Sequence, residues 1–132
     1  MKNKRENGQS VIEFALTLPL LILMLMGLLD FGRAYFIVVM LNDAAAEGAV
    51  YAGACPTDVD GIQLRVTEAA SDNLIQIEPA DVTVLGSVIA AGESITVSVR
   101  YEFTFLTPLV NEMFGDGLTL RGQAINPIID GS

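Results

Sequence analysis

The chain contains no histidine and no tryptophan, and a single cysteine, Cys55. Without histidine, the commonest general acid–base and the commonest metal ligand are missing. One cysteine cannot close a disulfide within the chain; beside Pro56 it reads as a small apolar residue at a helix end, with a bond to another subunit as the lesser alternative. Basic residues are also scarce, seven against 16 acids, for a net charge of −9. Three of the seven, Lys2, Lys4 and Arg5, precede Gly8, so residues 1–8 carry a net +2 and the remainder −11. So acidic a body lacks the basic stripe of a nucleic-acid binder and would be repelled by anionic lipid headgroups.

Catalytic constellations are absent as well. Ser10, Ser71, Ser87, Ser94 and Ser98 have no histidine to activate them, and Glu102 and Glu112 have no evident acid–base mate. Phosphate loops, metal-spaced cysteines and internal repeats do not occur. Asp58-Val59-Asp60-Gly61 resembles part of a calcium loop, but aligning Gly61 with the loop's sixth position puts Pro56 first and Thr67 twelfth, where ligands are required. No enzyme, cofactor, metal site or small-molecule substrate is expected.

What the chain does have is apolar length. Phe14–Leu29 runs for 16 residues without a charge, and Phe31–Leu41 adds 11 more with only Arg33. The basic residues ahead of this run form an n-region that the positive-inside rule keeps in the cytoplasm. No A-x-A site with suitable flanks follows Leu29, where Asp30-Phe31-Gly32-Arg33 comes instead. The first alanine-rich stretch, Ala44–Ala46, lies too far downstream, and together these argue against ordinary signal cleavage. The 16 residues span roughly 24 Å, a little short of the roughly 30 Å hydrocarbon core. The expectation is one transmembrane helix with its N-terminus inside; Pro19 and Gly27 are tolerable within it.

Helical pattern continues beyond the run. Ala34, Val38, Leu41, Ala45, Gly48 and Ala52 recur at steps of four and three, a narrow stripe of mostly small residues. One helix from about residue 9 to 53 is expected, its stripe packing on the chain's own soluble domain or on a neighbouring subunit's helix. Asp30 and Arg33, at i and i+3, can pair beside the membrane.

Pro56 should end this helix, and Thr57 or Asp58 cap a second bearing Ile62, Val66, Ala69 or Ala70, and Leu74 on one face. Three strands are expected after Glu78-Pro79: Asp81–Leu85, Ser94–Phe105 and Leu118–Ile125. The middle one alternates, with Ile95, Val97, Val99, Tyr101, Phe103 and Phe105 on one face. Leu118, Leu120 and Ala124 share a face of the third. Turns are expected at Ala91-Gly92 and at Phe114 to Gly117, and residues 106–114 should form a short helix or apolar loop. Arg100, Glu102 and Arg121 read as a cross-strand charge set. The fold class is α+β: a long N-terminal helix running into a small domain with a second helix and a roughly three-stranded antiparallel sheet.

Glu13 is the anomaly. An acid at the mouth of a membrane helix is costly, and either it snorkels to the headgroups or it has a function. Cutting after Gly8 would make Gln9 the N-terminus and leave its α-amine about one helical turn from Glu13. Between staggered subunits, one amine could then neutralise the next subunit's carboxylate and fix register.

Gly8 followed by Gln-Ser-Val-Ile-Glu, behind a short basic leader and ahead of an apolar helix, resembles a type IV prepilin processing signal. GQSVIEFALTLPLLILMLMGLLDFGRAYF, followed by Leu41-Asn42-Asp43-Ala44-Ala45-Ala46-Glu47-Gly48-Ala49, is similar to the TadE-like pseudopilins of tight-adherence (Tad, Flp-type) pilus systems. The resemblance covers about residues 5–53. It implies a basic leader at 1–8 and a pilin-like helix at 9–53; the remainder, an extracytoplasmic α+β domain expected at 54–132, rests mainly on the strand and helix pattern. It further implies that a membrane prepilin peptidase cuts between Gly8 and Gln9, that Glu13 serves processing or assembly, and that the partners are the lipid bilayer, other pilin or pseudopilin subunits and the Tad assembly machinery. The expected function is that of a minor pseudopilin in pilus assembly, adherence or secretion, held in a bacterial cytoplasmic membrane with its C-terminal domain outside. A principal filament subunit and an unprocessed membrane-anchored adhesin remain alternatives.

Overall fold

The computed structural model describes residues 4–71, 75–86, 90–115 and 117–129, with side-chain environments from residue 8 onward. Helix α1 occupies Lys4–Ala54, 51 residues or roughly 76 Å. It begins five residues before the expected start, because nothing between Lys4 and Gly8 breaks a helix and a lone glycine costs only about 1 kcal/mol. It passes through Pro19, which removes one rung of the helical ladder. It stops where Pro56 disfavours helical geometry at Cys55, whose amide closes the last turn on the Tyr51 carbonyl at 2.9 Å. Cys55 is exposed there, not buried as a small apolar residue would be.

Helix α2 (Val59–Ala70) starts on Asp58, whose Oδ1 accepts from the Gly61 amide at 3.0 Å while Oδ2 accepts from the Tyr51 hydroxyl at 2.7 Å. Of the two capping candidates, Asp58 is the one used. Those bonds, Tyr51 first and Gly61 second, hold its carboxyl below the ordinary carboxylate range. Ile62, Val66 and Ala70 are the buried face of α2; Leu74, expected to extend it, lies outside the described residues. A 3-10 turn at Pro79–Asp81 leads into strand β1 (Val82–Gly86), then β2 (Ser94–Phe103), helix α3 (Pro108–Phe114) and β3 (Leu118–Pro127). The sheet is antiparallel in the order β1-β2-β3.

Alternation on β2 sets the face of the sheet: Ile95, Val97, Val99 and Phe103 are buried, and Tyr101 is half-buried. The strand ends at Phe103, two residues before its expected end, and Phe105 turns back onto Phe103 edge to face at 5.2 Å. On β3, Leu120 is buried and Ala124 half-buried, but Leu118 is exposed. The expected charge set does not form. Arg100 lies directly across from Arg121 and Glu102 across from Thr119, and the ion pair found among the described residues lies elsewhere, between Arg33 and Asp30.

The sheet and α2 pack on the second half of α1. Leu41, Ala45, Gly48 and Ala52 of the small-residue stripe are buried in the chain's own domain, with Ile37, Ala44 and Ala49 beside them. This is the intrachain alternative for the stripe. Two glycines set the distance of approach. A Cβ on Gly48 would run into the Val66 side chain, and one on Gly122 into the Leu41 carbonyl and, at 2.6 Å, the Asn42 amide. Beside that crossing, Asn42 Oδ1 accepts from the Gln123 amide at 3.1 Å. At the far end of the domain, the Ile129 amide donates to the Gly53 carbonyl at 2.8 Å. β2 therefore runs antiparallel to α1, from the level of Gly53 down to the level of Arg33, and β3 climbs back.

Because the obstacle at Gly122 is helix backbone rather than a movable side chain, Gly122→Ala should lift β3 off α1. We expect a loss of about 2 kcal/mol, in the range of overpacked cores, read as a lowered thermal midpoint in detergent. Ala124→Ser, on the same strand but half-buried, should change it far less.

Candidate functional site

The sequence points to two places on α1: the Gly8–Glu13 segment and the Asp30–Arg33 pair. At the first, Gly8, Gln9 and Glu13 are helical and exposed, and a Cβ at Gly8 would meet nothing within 4 Å. Gln9 Nε2 donates to Glu13 Oε1 at 3.2 Å, so these side chains share one helix face at i and i+4. The α-amine that a cut after Gly8 would create begins one turn below that carboxylate. Thr17 keeps its hydroxyl satisfied on the Glu13 and Phe14 carbonyls, at 3.1 and 3.0 Å. Lys2 lies outside the described residues, as do the side chains of Lys4 and Arg5.

From there to Leu29 the helix is bare. Val11, Phe14, Leu16, Leu20, Met24 and Leu28 are all exposed. The helix is long and apolar enough to cross a membrane, and no other described element covers this portion.

At the second place the geometry exceeds what spacing implied. Arg33 Nη1 does meet Asp30 Oδ1, at 3.3 Å, but Arg33 is 42 % exposed while the Asp30 side chain is 3 % exposed. What buries Asp30 is the link between β2 and α3. The Leu106 amide donates to both carboxylate oxygens, at 2.9 and 3.1 Å. The Thr107 amide and hydroxyl donate to Oδ2 at 2.9 and 2.7 Å. Thr107 occupies the N-cap position of α3 without capping it, since its hydroxyl is turned to Asp30. A residue more than seventy positions away thus satisfies the amides that lead into α3. Arg33 completes the cluster by lying 5.1 Å over the buried Phe103 ring, a cation–π contact.

The pairing partners of Asp30 were not legible, though a weak signal existed. Thr107-Pro108 has the N-cap and N1 pattern of a helix start, yet no local acceptor accompanies it. No spacing rule assigns such amides to an aspartate on another element. The carboxylate is engaged in holding two elements together.

Removing the acceptor strands the Leu106 and Thr107 donors in a buried place. Asp30→Ala should therefore cost about 3 kcal/mol and speed amide exchange at Leu106 and Thr107. Asp30→Asn, which keeps one acceptor oxygen, should cost less. Arg33→Ala, with its partly solvated charge, should cost about 1 kcal/mol or less.

With this geometry in view, comparison with known proteins adds one finding. The family model described as TadE-like protein matches residues 8–50, from the glycine through the bare apolar helix and most of the packed half of α1. No curated protein and no solved structure matches the chain.

Proposed function

We propose that the chain is a minor pseudopilin, a non-enzymatic structural subunit of a Tad-type pilus or secretion apparatus. The supporting observation is the coincidence of the TadE-like match over residues 8–50 with a single continuous helix. One half of that helix is bare and apolar, and the other half is the spine of an α+β domain. A subunit of this shape can reside in a bilayer by its first half and be drawn into a helical assembly without refolding its second. The family match suggests a membrane-anchored, pilus-associated protein; the minor-subunit role is our finer reading.

In this reading the basic leader stays in the cytoplasm, the domain lies outside the cytoplasmic membrane, and a prepilin peptidase cuts between Gly8 and Gln9. That bond lies inside α1, so the peptidase must unwind the first turns, and Gly8 lowers the cost of doing so by about 1 kcal/mol relative to alanine. Glu13 then waits one turn from the new amine, where a neighbouring subunit's amine can neutralise it and set the stagger. An uncompensated acid so close to lipid costs a few kcal/mol, which makes the pairing worth having.

Intact mass of the protein from membranes containing a cognate peptidase should show loss of residues 1–8 and Gln9 as the first residue. A chain that stays whole under those conditions favours the unprocessed adhesin instead. Glu13→Ala should insert normally yet reduce incorporation into sheared filaments at least tenfold; undiminished incorporation would remove the role given to Glu13. Wild-type stoichiometry in the same filaments separates a minor subunit from the principal one.

A further inference from the structure

We propose that α3 and its flanking residues form a second membrane contact, an apolar foot that rests in the outer-leaflet interface beside the exit of α1. The inference rests on the reading of Phe14–Leu29 as a membrane span.

Placement comes first. Asp30 comes directly after the last residue of the uncharged run, and its carboxylate holds the Leu106 and Thr107 amides. The start of α3 is thereby fixed at the level where α1 leaves the run. The other end is fixed by a chain of ring contacts: Phe114 lies 5.9 Å from Phe105, tilted against it, and Phe105 meets the buried Phe103 edge to face. Since β2 descends to this level and β3 rises from it, the β2–α3–β3 connection is the end of the domain that faces the bilayer.

The surface is the second observation. Leu106, just ahead of α3, and Leu109, Met113 and Phe114 on it are 59, 49, 73 and 64 % exposed, and the only charge on the helix is Glu112. Leu106 is held at Asp30, which the exposed Leu29 and Phe31 flank on α1, so the bare apolar surface of the helix continues onto the foot at this point. Leu118, at the start of β3, adds to this end, whereas Val50, Leu64, Leu85 and Ile125 lie on other parts of the domain.

Depth decides the occupant. Glu13 and Asp30 stand 17 residues apart, roughly 25 Å along the helix against a hydrocarbon core of roughly 30 Å. Both acids cannot clear the core at once. Glu13 has one side-chain partner among the described residues, Gln9, and needs headgroups or water. Asp30 is enclosed by four donated bonds and Arg33, so it tolerates a lower dielectric. The helix therefore settles toward the cytoplasmic face at Glu13 and draws Asp30 and α3 down, to the ~5–10 Å depth at which amphipathic segments insert.

The natural absence of tryptophan makes the test direct. Met113→Trp, Leu85→Trp and Leu21→Trp, each as the only tryptophan of the full chain, are reconstituted into phosphatidylcholine vesicles with and without bromine near the headgroup end of the acyl chains. We expect Met113→Trp to emit blue-shifted and to lose most of its emission to the brominated lipid. Leu85→Trp should emit as in water in both vesicles. Leu21→Trp marks the span and should be quenched by lipid brominated deeper in the chains. Water-like, unquenched emission from Met113→Trp beside a quenched Leu21→Trp overturns the foot and leaves the span standing. A blue shift without bromine quenching assigns the surface to a second copy and also overturns it, and an unquenched Leu21→Trp overturns span and foot together.

Discussion

A single buried carboxylate joins the two halves of this molecule. Asp30 sits where the bare part of α1 gives way to the packed part, and it accepts bonds from the backbone entering α3 and from Arg33. Charge-assisted bonds to a shielded acceptor are among the stronger polar interactions in a fold, and leaving the donors unmet would be costlier still. Helix and domain meet without a flexible linker, because the residues at the junction are themselves part of the core. The sheet has to lie alongside α1, and the close approaches at Gly48 and Gly122 complete what Asp30 begins.

Periodic patterns were the most legible part of the chain. Both helical stripes, the alternation of β2 and the breaks at Pro56 and Glu78-Pro79 were readable, since burial on one face leaves a period in the sequence. The small residues of the α1 stripe also carried their meaning, a surface made for close approach, although not the identity of what approaches. Contacts that depend on one side chain meeting a distant backbone were illegible. Asp30 could be read as a partner for Arg33, three residues on, but not as the acceptor for Leu106 and Thr107. Arg100 and Arg121 misled for a related reason: composition suggests a charge set, but only register reveals that like charges face each other.

The candidate site at Gly8–Glu13 shows the opposite balance. Its geometry is plain, a helix face with one side-chain bond, and would carry little by itself. Its meaning comes from the segments C-terminal to it, the apolar run and the remainder of the TadE-like match, which extends through residue 50. Coarse statements about a membrane-anchored, pilus-associated protein rest on that match; the roles proposed for Gly8 and Gln9 rest on the prepilin resemblance, and that proposed for Glu13 also on the physics of an acid that lacks a sufficient partner.

The two acids that bracket the run differ in a way that gives the anchor a direction. Glu13 is left short of partners, and Asp30 is oversupplied. An acid short of partners gains from a neighbour that brings a positive charge, whereas a saturated one gains nothing from assembly and instead resists separation from its own chain. The same helix therefore presents an under-satisfied acid near its N-terminal end and a closed joint where it enters the domain. Pulling such a helix out of lipid exchanges the surroundings of Glu13 and leaves those of Asp30 unchanged, so domain and helix travel as one body. In the proposed pilus reading, the work of assembly would fall on the bare half of α1, and the packed half would transmit it to the domain without deforming.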